Sequence, residues 1–142
     1  MNDSPKRTSH HFEVPIENYL KAIWNLSQKK SSENLGVRNS ELAEYLEVKR
    51  PSVSSMIKKL LSRGLIQQNG RRGISLSPKG MKRVIDLLRR HRLIEVFLKE
   101  KLNMDPLSAH REAELLEHAV SPQLIAAIDR ELGSPTHDSL GL

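Results

Sequence analysis

The sequence predicts a mainly α-helical protein with one small β-hairpin wing, and three observations carry that prediction. Apolar residues recur at three- and four-residue spacing over most of the chain, as in helices that bury one face. Two short β-prone runs flank Asn69-Gly70-Arg71-Arg72, which is hairpin-turn chemistry. Prolines at 15, 51, 78, 106 and 122 stand where helices begin, since a first-turn N–H has no partner to lose.

Residues 1–13 lack periodicity and read as a flexible arm, with His10 and His11 solvated. From Pro15, the residues Ile16, Tyr19, Leu20, Ile23, Trp24 and Leu26 share a helical face, so a helix is expected near 15–29. The stretch 30–36 reads as a loop, and Asn39 or Ser40 then offers an N-cap to a short helix ending near Glu47. Pro51 opens a third helix with Val53, Met56, Ile57, Leu60 and Leu61 on its apolar face and Gly64 as terminator. Two short helices joined by a tight turn form a helix-turn-helix, and the basic hairpin that follows, from runs 65–68 and 73–76, reads as a wing.

Ser77-Pro78 starts a long helix near 78–101, with Met81, Val84, Ile85, Leu87, Leu88, Leu93, Ile94, Phe97 and Leu98 facing inward. Pro106 opens another to about Val120, and Ser121-Pro122 caps a last one over 123–132. The expected organisation is an arm at 1–13, a winged helix-turn-helix unit at 14–76, a second helical unit at 77–132 and an irregular tail at 133–142.

Composition narrows the chemistry. Lys plus Arg total 23 against 17 acidic residues, a net charge of +6 that favours an anionic partner such as nucleic acid. With no cysteine, disulfides, thiolate nucleophiles and zinc-thiolate sites are excluded, so any metal must be held by imidazole and oxygen. No apolar run approaches the ~20 residues that span a bilayer. The polar N-terminus carries no signal-peptide core, so a cytoplasmic protein without a membrane partner is expected.

Two constellations carry function. Lys49, Arg50, Lys58, Lys59, Arg71 and Arg72 crowd the third helix and the wing, with Pro51, Ser52, Ser54 and Ser55 at the helix start. A recognition helix places its N-terminal residues on base edges while flanking Lys and Arg meet phosphates, so these ten residues are expected to bind duplex DNA. A single basic helix face is usually just solvated, but here turn, helix and basic hairpin stand in the order a DNA reader needs. The second constellation is His91 with Glu95, four apart, and His110, Glu114, Glu117 and His118 at offsets 0, 4, 7 and 8 on another helix. Imidazole with carboxylate suits manganese, iron or zinc, and an ordinary solvated face would carry the same residues. No catalytic triad, phosphate loop or paired-acid site has a catalytic context, so no enzyme is expected.

The segments ENYLKAIWNL, ELAEYLEVKRPSVSSMIKKLLSRGLI, LSPKGMKRVIDLLRRHRLIEVFL and AELLEHAVS resemble the diphtheria toxin repressor and manganese transport regulator family, in order and spacing over about 14–132. The resemblance implies a homodimeric, metal-dependent repressor that reads a palindromic operator, with a three-helix dimerisation region holding the metal. It places His91, Glu95 and His110 at an ancillary metal site and Glu117 and His118 at the primary one. Glu114 falls where iron-type relatives have Cys and manganese-type relatives have Glu. Asn18 falls where those two types have Met and Asp, and its amide oxygen is a possible hard ligand, whereas Lys21 replaces a further carboxylate of some manganese regulators. The implied cofactor is a divalent ion, manganese first and iron(II) next, with zinc or cobalt able to occupy the sites in vitro.

The resemblance also implies the mechanism. A cation joins the first helix to the fifth through Asn18, Glu114, Glu117 and His118, and restrains the two reading heads at the spacing of an operator in metal-uptake genes. Longer relatives continue into an SH3-like domain, and His137 and Asp138 lie where the family's chain approaches the ancillary site. Two rival readings remain at this stage: a metal-independent winged-helix regulator gated by a small organic ligand, and a small metallohydrolase built on the His/Glu cluster.

Overall fold

The first helix, α1, runs from Ser4 to Gln28 and is followed by α2 (Asn39–Leu46), α3 (Arg50–Ser62), β1 (Ile66–Gln68), β2 (Ile74–Leu76), α4 (Pro78–Leu102), α5 (Pro106–Leu116) and α6 (Pro122–Glu131). The structure is a computed structural model that describes residues 4–30 and 36–134, with side chains from Pro15 onward. The beginning of the expected arm, most of the 30–36 loop and the tail carrying His137 and Asp138 lie outside the described residues. No helix among the described residues is long and apolar enough to cross a membrane.

Packing divides the chain into two compact units, Met1–Val84 and Ile85–Leu142, with the division inside α4. In the first unit, α1 buries Ile16, Leu20 and Ile23, α2 buries Leu42, and α3 buries Val53, Ile57 and Leu60. The wing is an antiparallel pair in the register Ile66↔Leu76, Gln67↔Ser75 and Gln68↔Ile74, closed by a 3-10 turn at Gly70–Arg72. Val37 braces it from outside: Val37 N–H donates to the Ile74 carbonyl and Ile74 N–H to the Val37 carbonyl, both at 2.8 Å. The start of α4 is pinned to the end of α3, because the buried Ser77 hydroxyl donates to the Gly64 carbonyl at 2.6 Å and accepts from Gly80 N–H at 3.0 Å.

In the second unit, Leu93, Ile94 and Leu98 of α4 pack with Ala109 and Ala113 of α5 and Ile128 of α6. Small alanines on α5 let the helices approach closely. Asp105 caps α5 by accepting from Ser108 N–H at 3.0 Å, and Ser121 caps α6 by accepting from Leu124 N–H at 3.1 Å.

Several expectations are corrected. The helix expected to begin at Pro15 begins at Ser4, so residues 4–13 are helical rather than an irregular arm. Ser4-Pro5 is the same start signal as Ser77-Pro78 and Ser121-Pro122, and Pro15 sits inside the helix at the cost of one backbone hydrogen bond. The N-cap of α2 is Arg38, not Asn39 or Ser40. Arginine has no acceptor, and the cap is made by the Glu41 carboxylate, which accepts from Arg38 N–H at 2.9 Å and pairs with Lys30 at 2.7 Å. Leu61, Met81 and Ile85, assigned to apolar faces, are exposed. Each stands one step round its helix from a buried neighbour, Leu60, Gly80 or Val84, a rotation of about 100°. The fifth helix ends at Leu116 rather than near Val120, because Pro122 forces Ser121 into an extended conformation (ψ 157) and the chain tightens into a turn first.

Candidate functional site

On the first unit, α3 turns Val53, Ile57 and Leu60 into the core, and the helical period puts the remaining positions outside. Lys49, Arg50, Pro51, Ser52, Ser54, Ser55, Lys58 and Lys59 are all exposed, as are Arg71 and Arg72 on the wing turn. The first turn of α3 has no acidic residue, so its positive dipole end is uncompensated beside the exposed Lys49 and Arg50. That combination attracts phosphate oxygens. Gly36 allows the wing turn to close over it, since a Cβ there would stand 1.8 Å from the Arg72 carbonyl oxygen.

The second unit gathers the His/Glu constellation. On α4, His91 and Glu95 lie one turn apart, both buried, with His91 Nε2 3.6 Å from Glu95 Oε1. From α5, His110 brings Nδ1 to 3.2 Å from His91 Nε2 and 3.4 Å from Glu95 Oε2. One ligand atom from each of the three lies within 4.8 Å of the others. Glu114 is half exposed, with Oε2 3.8 Å from His110 Nε2. Glu117 is the C-cap of α5, still in helical conformation with its N–H on the Ala113 carbonyl at 2.9 Å, and His118 follows it in the turn. The Glu117 carboxylate is 2 % exposed, with Oε1 2.6 Å from His91 Nδ1 and Oε2 3.3 Å from His118 Nε2. Asn18 is exposed on α1 in the first unit.

Arg92 is a participant that the sequence reading missed. Its guanidinium donates to Glu95 Oε1 at 2.8 Å, and the Arg-to-Glu spacing of three on α4 was the available signal. Burial works to raise the Glu95 carboxyl, but the Arg92 hydrogen bond and the charges of His91, Arg92 and Lys99 outweigh it and hold the group below its ordinary value. An ionised carboxylate beside two imidazoles is a nitrogen and oxygen donor set of the kind that takes borderline divalent cations. Burying such groups costs several kcal/mol unless they are paired or coordinate a metal. The donor set therefore fits a divalent ion.

Comparison with known proteins agrees with both surfaces. Residues 11–74 match the model of the iron-dependent repressor N-terminal DNA-binding domain, and residues 77–142 match that of the iron-dependent repressor metal-binding and dimerisation domain. The chain is 34% identical over 110 residues to an uncharacterised helix-turn-helix transcriptional regulator of Methanocaldococcus jannaschii, covering 78% of this chain and 86% of that one. It is 35% identical over 121 residues to the transcriptional regulator MntR of Salmonella typhimurium, covering 85% of this chain and 73% of that one. The crystal structure of the manganese-activated repressor ScaR in its apo form superposes with a TM-score of 0.74 at 38% identity, over 83% of this chain and 54% of that one. The chain thus spans about half the length of that solved relative.

Proposed function

The chain belongs to the iron-dependent repressor family of metal-dependent DNA-binding transcriptional repressors, and on that premise we propose that it is a homodimeric repressor activated by manganese or ferrous iron. The observation that carries the metal reading is the approach of His91, Glu95 and His110 ligand atoms to within 4.8 Å, two of the three residues being buried. In this reading those residues hold a structural ion, while Glu114, Glu117 and His118 hold the activating one. A bound cation supplies the positive charge that draws these ligands together. Oxygen-rich donors without thiolate favour manganese or ferrous iron in function, even where zinc or cobalt binds as tightly.

The rest of the reading concerns DNA. The exposed residues of α3 and the wing bind a palindromic operator in genes for metal uptake, in the cytoplasm, Ser52 and Ser55 meeting bases and Arg71 and Arg72 meeting phosphates. Leu107, Leu115, Leu116 and Leu124 of the second unit are exposed, which supports a second copy of the chain as the partner of that unit. Metal and operator are linked reciprocally, each tightening the other by the same factor.

The test is operator affinity of the purified protein against manganese, ferrous iron, zinc and cobalt. We expect affinity to rise with manganese or iron, Glu114→Ala and His118→Ala to lose that rise, and Glu95→Ala only to weaken it. Operator binding indifferent to all four ions would overturn the metal reading and favour a regulator gated by an organic ligand.

A further inference from the structure

One carboxylate stands between the two proposed groups of ligands. Glu117 follows α5, yet its Oε1 reaches His91 on α4 at 2.6 Å, and its Oε2 lies 3.3 Å from the imidazole of His118. It is one of the most deeply buried polar side chains among the described residues, at 2 % exposure. A carboxylate oxygen accepts and an imidazole N–H donates, so the 2.6 Å contact is satisfied when the His91 proton sits on Nδ1. A neutral imidazole with its proton on Nδ1 has its lone pair on Nε2. That nitrogen is the one facing His110 Nδ1 at 3.2 Å and Glu95 Oε1 at 3.6 Å.

We propose that Glu117 is a positioning residue for the His91, Glu95 and His110 site: its carboxylate selects the His91 tautomer whose Nε2 lone pair faces the other two ligands. The proposal rests on the reading of those three residues as a cation site. A ligating imidazole typically donates its second N–H to a carboxylate or carbonyl, which fixes the ring and raises its basicity. Glu117 does this from the far end of α5. Because the same carboxylate is proposed as a ligand of the activating ion, it ties the two sites together: whatever moves Glu117 also releases His91. The Glu95 carboxyl is held in turn by Arg92, which donates to its Oε1 at 2.8 Å.

The first test needs no metal and no substitution. Nitrogen-15 NMR of the metal-free chain at mildly alkaline pH reads the His91 tautomer directly, and the Nδ1–H form is expected, the less favoured form of a free imidazole. Glu117→Ala should release that preference, whereas Glu117→Gln should keep it, because the amide oxygen accepts from the same N–H. The second test is calorimetric manganese binding in a Glu114→Ala/His118→Ala background, where only the His91, Glu95 and His110 site remains. Adding Glu117→Ala should weaken binding by about 10–100-fold, the usual cost of losing such a partner, and Glu117→Gln by much less. An Nε2–H tautomer in the unaltered chain, or equal manganese affinity with alanine at 117, overturns the proposal alone. A background protein that binds no manganese overturns instead the reading of the site on which it rests.

Discussion

Replacing Arg71 and Arg72 together by alanine tests the DNA face at the position where the structure isolates charge from architecture. The wing keeps its shape through backbone bonds, Asn69 N–H to the Gly73 carbonyl at 2.8 Å and the reciprocal pair between Val37 and Ile74, together with Asn69 Nδ2 donating to Ser75 Oγ at 2.8 Å. None of these uses an arginine head, and alanine keeps the Cβ atoms. If each arginine neutralises one phosphate per subunit, each contributes about 0.9 to the slope of log affinity against log salt, so the double variant loses about 1.8 per subunit. Over a rise from about 50 to about 200 mM salt, a factor of four, the parent then weakens about 12-fold more per subunit than the variant. Fluorescence anisotropy with a labelled operator and a scrambled duplex, across that salt range, measures both slopes. The loss should be equal on the two duplexes, since phosphate contacts carry no sequence information. An unchanged slope would refute the assignment of the wing to DNA.

Three other outcomes follow from particular contacts. In Gly80→Ala the new Cβ would stand 2.0 Å from the Leu65 carbonyl oxygen, so the start of α4 must shift, and chemical denaturation should show a loss of at least ~1–3 kcal/mol. Although burial tends to raise it, the Glu41 carboxyl is held below its ordinary value by the hydrogen bond and charge of Lys30 and the Arg38 backbone N–H. Its contribution to stability is therefore complete above the unfolded carboxylate value and is lost as pH falls through the lower folded value. Glu41→Gln should accordingly lower the urea midpoint at about pH 7 and leave it nearly unchanged at about pH 3, and equal losses at both would refute the ionic role. Light scattering at micromolar concentration should give a dimer, and Leu115→Asp or Leu124→Asp, at residues 70% and 52% exposed in one chain, should yield monomer that remains folded by circular dichroism.

Much of this protein is legible in its sequence, because the relevant physics is local. Proline and serine at helix starts, the 3.6-residue period that buries Val53, Ile57 and Leu60 while leaving the lysines and serines of α3 outside, and the hairpin chemistry around Gly70 and Gly73 all act within a few residues. The same holds for His91 and Glu95, whose separation by four on one helix brings imidazole and carboxylate to 3.6 Å. Family resemblance extended that local reading to the division of labour between the two faces. Tertiary structure decided what local spacing does not encode: the bond between His91 and Glu117 across 26 positions, and the pairing of Lys30 with the Glu41 carboxylate that caps α2. The reason is physical. Periodicity says which face of a helix is buried, but the partner a buried carboxylate finds depends on which other helix is packed within 3 Å of it, and that is a property of the assembled core.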